Sequence, residues 1–225
     1  MSIFDSYPRL RGFIVIVTYG RSGSTLLQRI VQTIPGSCIR GENNGAINPL
    51  YRAHQRARRA RFEFGSAPTK SRNPWFGAEC IELDSYSRSL ADTFIKHILN
   101  PPVDVRWVGF KEIRFSELGD NFDDALDFLH AYFPNVRIVF NTRNAEEVSQ
   151  SAWHKNSPKD QVLSMVRQMD ERFENYSHKH PERTFLANHQ RTLTDYRYLK
   201  KFFDQCEEPF DSKKIKAILS EKLTH

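Results

Sequence analysis

Between Thr18 and Leu26 the chain reads Thr-Tyr-Gly-Arg-Ser-Gly-Ser-Thr-Leu, a loop of small residues with one cation, Arg21. It follows the β-branched run Phe13–Val17 and precedes apolar residues at helical spacing: Leu26, Leu27, Ile30, Val31 and Ile34. A buried strand, a small-residue loop and a helix aim backbone N–H groups and a helix N-terminus at an anion. Phosphate or sulfate is the natural guest. A nucleoside-triphosphate loop, Gly-x-x-x-x-Gly-Lys-[Ser/Thr], needs its Lys for the terminal phosphates and its hydroxyl for magnesium. With Gly23 as the second glycine, Thr18 stands at the first and Ser24 replaces the Lys. Such a loop holds a phosphate but is badly equipped for a metal-bound triphosphate, which argues against an ordinary ATPase or kinase.

A second constellation begins at Asn141-Thr-Arg143 and runs through Asn144 to Ser151 and Trp153. Arg143 falls at the carboxyl end of an expected strand, the edge where ligands bind in open α/β sheets. Ser151 comes eight positions later, about two turns along an expected helix. Together they can grip one phosphate from two sides. Alone, the pair reads more simply as a capping arginine and a surface serine; the first loop tips the balance towards phosphate.

The elements that must position these residues follow from periodicity. Strands are expected at Phe13–Val17, Ser37–Ile39, Trp107–Phe110, Val136–Asn141 and Thr184–Ala187. Helices are expected at Ser24–Ile34, Gly45–Phe64, Asp84–Leu99, Asn121–Tyr132, Ala145–Lys155, Lys159–His178, Asp195–Cys206 and Ser212–Lys222. Asp84 serves as an N-cap, and Ser157-Pro158 as a start signal. The alternation implies a three-layer α/β fold around a mostly parallel sheet, in one domain spanning residues 1–225. The segment from Gly65 to Gly77, with Pro68 and Pro74, is the one long irregular connection.

Composition sets limits on function. The 33 Lys and Arg against 27 Asp and Glu leave +6, which favours anionic ligands without calling for nucleic acid. No stretch approaches the ~20 apolar residues of a membrane span, and no leader pattern precedes Phe13. Cys38, Cys80 and Cys206 are odd in number and widely spaced, so a reduced, cytoplasmic setting is expected, without a zinc site.

The two phosphate motifs resemble those of sulfotransferases. Thr18 to Leu26 is similar to the loop with which that family holds the 5′-phosphosulfate of 3′-phosphoadenylyl sulfate (PAPS). The Arg143 and Ser151 spacing is similar to that of the pair holding its 3′-phosphate. Val108-Gly-Phe-Lys-Glu-Ile-Arg114 and Asn73-Pro-Trp-Phe-Gly77 look like segments of the carbohydrate-type and bacterial branch. The resemblance implies a P-loop-like sulfotransferase fold, PAPS as co-substrate with PAP as product, and no metal. It assigns donor binding to Arg21, Ser22, Gly23, Ser24, Thr25, Leu26, Arg143 and Ser151. One departure stands out: many members carry Tyr-Glu-Asp-Leu after the fifth strand, where this chain has His189-Gln-Arg-Thr-Leu193.

Sulfuryl transfer suits these residues. The group carries less charge than a phosphoryl group, so positioning, stabilisation of the leaving 5′-phosphate and a base for the acceptor hydroxyl are what it requires. Arg21 and the N–H groups of Ser22 to Leu26 serve the leaving phosphate; by analogy with phosphoryl transfer, such an arginine is worth roughly a thousandfold. Glu42, in Arg40-Gly-Glu-Asn-Asn-Gly45, is the preferred base, in a place where the resembled branch usually carries a glutamate; its alternative is a solvated loop or N-cap carboxylate. Glu112 is the competitor, but with Lys111 and Arg114 it also reads as an ion-pair ladder. Lys111 is assigned to the donor phosphate or the sulfuryl oxygens.

Arg52, Arg56, Arg58, Arg59 and Arg61 crowd one helix. A solvated face is the favoured reading, and an anionic carbohydrate acceptor the functional one. Trp75, Phe76 and Trp153 are either anchors or stacking surfaces for adenine or sugar. His54, His154 and His189 lack ligand spacing. Two rival functions remain: a phosphotransferase with a divergent P-loop, and a non-catalytic binder of nucleotides or polyanions.

Overall fold

The computed structural model describes residues 3–151 and 154–221. Trp153 lies outside the described residues. Gly12–Val17 forms β1, and all six of its residues are buried, as a continuous apolar run in the middle of a parallel sheet should be. The other strands are β2 (Ser37–Arg40), β3 (Trp107–Glu112), β4 (Val136–Thr142) and β5 (Thr184–Asn188). Every pairing is parallel and the order is β2-β3-β1-β4-β5. In register, Val17 of β1 stands between Glu112 of β3 and Phe140 of β4.

Helices cover both faces. They are α1 (Ile3–Ser6), α2 (Ser24–Val31), α3 (Ile47–Arg59), α4 (Leu83–Thr93), α5 (Phe122–Tyr132), α6 (Ala145–Ser149), α7 (Lys159–Lys179), α8 (His189–Thr194), α9 (Lys200–Gln205) and α10 (Ser212–Ser220). The strand period of two sorts β1 between them. Phe13, Val15 and Val17 join Phe94, Leu126, Phe140 and Phe173 in one core layer. Ile14 and Ile16 join Leu27, Ile30, Phe203 and Ile215 in the other. The result is the three-layer α/β architecture expected from the alternation.

Several boundaries differ from expectation, each for a local reason. Within the stretch expected as one helix from Ala145 to Lys155, α6 covers Ala145–Ser149, and a turn at Gln150 and a bend at Ser151 follow it. Asn144 caps its start, accepting from Glu146 N at 2.9 Å and Glu147 N at 3.3 Å. Asp84 is not an N-cap: α4 begins at Leu83 after Glu82, and Asp84 pairs with Arg88 at 2.9 Å within the first turn. The long expected helices continue α3 and α4 as π-helical turns, Ala60–Phe64 and Phe94–Leu99. The short helix α8 was not expected; Asn188 caps it by accepting from Arg191 N at 3.0 Å.

Candidate functional site

The loop after β1 is built to leave backbone donors open. Gly23 takes a left-handed conformation, φ 77°, at the N-terminus of α2, which has no side-chain cap. A Cβ there would lie 2.2 Å from His189 Nδ1, so only glycine fits. Arg21 also has positive φ, 63°, a conformation costing an L-residue about 1–2 kcal/mol that the rest of the fold must hold in place. Buried hydrogen bonds do so. Thr18 Oγ1 lies 2.7 Å from both the Asn141 carbonyl and Ser22 Oγ. It donates to the carbonyl and accepts from Ser22. Asn141 Nδ2 donates to the Ser22 carbonyl at 2.9 Å. The Ser22 hydroxyl is therefore a brace, and its backbone N–H is left without a protein acceptor among the described residues.

Among the described residues, the N–H groups of Ser22, Gly23, Ser24 and Thr25 have no protein acceptor. Leu26 differs from expectation: its N–H already donates to the Gly23 carbonyl at 3.0 Å. The row of open donors ends at Thr25. The Arg21 guanidinium is exposed and makes no ion pair with the described residues. Four open donors, a helix N-terminus and a free cation make an anion site.

At the end of β4, Arg143 leans over the same loop. Its Nη1 donates to the Arg21 carbonyl at 3.1 Å, and its Nε meets Glu147 at 2.9 Å. Tyr19, buried, fixes the Arg143 main chain. The Tyr19 hydroxyl accepts from Arg143 N at 2.8 Å and lies 3.0 Å from Asp170 Oδ1 and 3.1 Å from the Arg143 carbonyl. Burial pushes the Asp170 carboxyl up to about 6, with the Tyr19 hydrogen bond opposing the shift. Ser151 lies just beyond α6, not two turns inside a helix. Its Oγ is buried and has no hydrogen-bond partner among the described residues. Buried hydroxyls are normally satisfied, which sets this one apart among the described residues.

At the end of β3 the groups find partners within the protein. Glu112 is completely buried. Its Oε2 accepts from Gly45 N at 2.8 Å and Asn43 N at 3.2 Å, and its Oε1 from Ile113 N at 2.8 Å and Arg114 N at 3.1 Å. Lys111 pairs instead with Glu42, and Arg114 with Glu117 at 2.6 Å. The expected ladder of Lys111, Glu112 and Arg114 does not form. Lys111 is 8 % exposed and Glu42 42 %, so the carboxylate faces solvent and the ammonium stands behind it. Since Val17 pairs with Glu112, this couple sits beside the loop after β1.

Two histidines missed as site residues also border the loop. His189 follows Asn188, whose register partner Thr142 directly precedes Arg143. Burial, and after it the Arg143 cation, hold its imidazole below the usual range. Burial and Arg21 do the same to His154. Only strand pairing brings these residues near the loop, and no local spacing signals it. His54, by contrast, is taken up by Ser87 Oγ at 2.7 Å. Arg52, Arg56, Arg58 and Arg59 are exposed along α3; at 1.5 Å per residue, Arg59 lies about 18 Å along the axis from the end of α3 near Glu42. Trp75 stacks on Phe64 at 3.9 Å. Among the described residues, no group of three or more His, Cys, Asp or Glu is placed to hold a metal, and no helix is long and apolar enough to cross a membrane.

An all-parallel sheet with an open N–H loop after its central strand and no lysine in that loop defines a P-loop-like α/β protein. The family model described as "Sulfotransferase family" matches residues 14–218, and the chain belongs to that family. In structure it is similar to the sulfotransferase domain from the Synechococcus PCC 7002 olefin synthase, with 16 % identity and a TM-score of 0.58, covering 95 % of this chain and 79 % of that one. It is also similar to the sulfotransferase domain from the curacin biosynthetic pathway, with 14 % identity and a TM-score of 0.51, covering 92 % and 77 %. No curated protein matches the sequence. The chain is thus a transferase of the sulfotransferase class.

Proposed function

We propose that this chain is a single-domain, cytoplasmic enzyme that moves a sulfuryl group from PAPS to a hydroxyl of a carbohydrate or glycolipid. The observation that supports it most is one of adjacency. The three central strands β3, β1 and β4 end side by side, carrying the Glu42–Lys111 couple, the open N–H loop with Arg21, and Arg143 with Ser151, whose Oγ has no partner among the described residues. The N–H groups of Ser22 to Thr25 and the Arg21 guanidinium hold the 5′-phosphosulfate. Arg143 and Ser151 Oγ hold the 3′-phosphate, whose charge replaces Glu147 as the partner of Arg143.

The reaction then needs only what these residues supply. The acceptor oxygen forms a bond to sulfur as the bond from sulfur to the 5′-phosphate oxygen breaks, and the hydroxyl proton passes to the Glu42 carboxylate. Arg21 and the loop N–H groups stabilise the charge left on PAP. Lys111 holds Glu42 in place beforehand and turns towards the sulfuryl oxygens as negative charge builds there. Glu112 has no part in proton transfer, because all its acceptor capacity towards the loop is occupied by backbone N–H groups. Free Cys38, Cys80 and Cys206 accord with a reducing compartment.

Incubation with sulfur-labelled PAPS and a panel of sugars and glycolipids tests the proposal. Labelled product should form, and continue to form in excess chelator, since the loop after β1 lacks the magnesium-holding Lys-[Ser/Thr] pattern and has Ser24 in place of the Lys. Magnesium-dependent phosphoryl transfer from a triphosphate, with no sulfuryl transfer, would overturn it in favour of a divergent phosphotransferase.

A further inference from the structure

The chain's whole formal charge resides in one short stretch. Residues 52–77 hold seven Lys and Arg against the single carboxylate Glu63, while the rest of the chain holds 26 cations and 26 carboxylates. Three large aromatic side chains are exposed in the same stretch: Phe62 at 58 %, Trp75 at 44 % and Phe76 at 59 %. The patch is structured. Phe64 and Trp75 stack with planes 4° apart, joining the π-helical end of α3 to the loop that follows. Arg61 donates to the Gly65 carbonyl at 2.6 Å and lies over the Phe62 ring at 5.6 Å, and Arg59 lies over Phe64 at 5.9 Å. Gly65 packs so closely that a Cβ would come within 2.4 Å of the Ala78 carbonyl carbon.

A solvated face accounts for the arginines but not for the aromatics among them, and solvated faces usually mix both signs of charge. A nucleic acid accounts for the charge, yet it would stack its bases on open ring faces, and here Arg61, Arg59 and Trp75 already occupy faces of Phe62 and Phe64. An anionic lipid surface accounts for both features. Its headgroups attract clustered Lys and Arg, and aromatic side chains settle at the boundary between headgroups and acyl chains.

We propose that residues 52–77 dock the protein on an anionic phospholipid bilayer, with Phe62 and Phe76 entering the interface and the arginines lying on the headgroups. This inference does not depend on the transfer reaction. The test is co-sedimentation of the full chain with vesicles of phosphatidylcholine alone, or with about a third phosphatidylserine. The chain should sediment only with the anionic vesicles, and less so as salt is raised. Phe62→Ser with Phe76→Ser, and Arg56→Gln with Arg58→Gln, should each weaken binding by about tenfold or more. The altered side chains are exposed, so the thermal midpoint should stay near wild type and serve as the folding control. Equal binding to neutral vesicles, or variants that bind like wild type, would overturn the proposal. So would a chain that binds heparin or single-stranded RNA but no vesicle.

Discussion

The two strands that flank β1 end in opposite ways. At the end of β3 the protein satisfies its own polar groups: four backbone N–H groups converge on Glu112, and Lys111 is neutralised by Glu42. At the end of β4 and in the loop between them, capacity is left open among the described residues in the N–H groups of Ser22 to Thr25, in Arg21, and in the buried Oγ of Ser151. A buried polar group without a partner costs about 1–3 kcal/mol, a cost that a bound ligand removes. In the proposed enzyme the closed end is scaffold and the open end is receptor. Glu42 belongs to neither kind fully, being paired on one side and exposed on the other, which is what a proton acceptor for an incoming hydroxyl requires.

Changing the two glutamates separately should give the largest contrast between the two strand ends. Glu42→Gln keeps an oxygen for Lys111 but cannot accept a proton. Turnover should fall by ~10²–10⁴, with donor affinity and thermal midpoint near wild type; normal turnover would remove Glu42 from its role. Glu112→Gln should act on the fold, because an amide cannot accept from all four N–H groups. Denaturant titration should show a loss of about 3 kcal/mol. A variant that is stable but inactive would instead make Glu112 the base.

On the open side, the variants should affect binding more than stability. Arg143→Ala should weaken the binding of PAP by about 2–3 kcal/mol, read by calorimetry, and leave the affinity for AMP nearly unchanged. Ser151→Ala should cost about 1 kcal/mol of PAP binding while leaving the fold equally or more stable, since it removes an unsatisfied hydroxyl. A loss of fold stability in Ser151→Ala would show that the hydroxyl serves the structure instead.

The smallest effect concerns Asp170, which touches the site only through Tyr19. Burial holds its folded pKa at about 6, above the ordinary carboxyl value of 3.8, so the native state holds its proton more tightly than the unfolded chain. The native-state advantage from this group is present below about pH 4 and is lost as pH rises through about 6. Asp170→Asn should remove that loss, making the variant more stable than wild type above about pH 6 by roughly 1 kcal/mol after solvent screening. Parallel stability–pH curves for the two proteins would refute the assignment.

Most of the fold was legible because burial writes itself into residue type. The uninterrupted apolar run of β1 could only be a central strand, and the glycines and small hydroxyls after it could only be a tight loop. The open N–H groups follow from that loop, and the place of Arg143 at a strand end follows from the apolar run of β4. What could not be read was tertiary. Nothing local in Lys111-Glu-Ile-Arg114 says that Glu112 turns inward to gather N–H groups from the Asn43–Gly45 turn, or that Lys111 reaches Glu42. His189 comes against Gly23 only because β5 pairs with β4 and α2 lies against α8. The break after Ser149 was missed because Val148 and the residues around it keep a helical pattern beyond the point where the helix ends.

In the proposed enzyme the ends of β1 and β4 form a receptor for two phosphates. Calorimetric titration of the full chain with 3′-phosphoadenosine 5′-phosphate and with AMP tests it most directly. The account predicts that the doubly phosphorylated nucleotide binds at least about a hundredfold more tightly, a difference of roughly 3 kcal/mol, and that Arg143→Ala removes most of the gap. Equal affinity for the two nucleotides in the wild-type protein would contradict it.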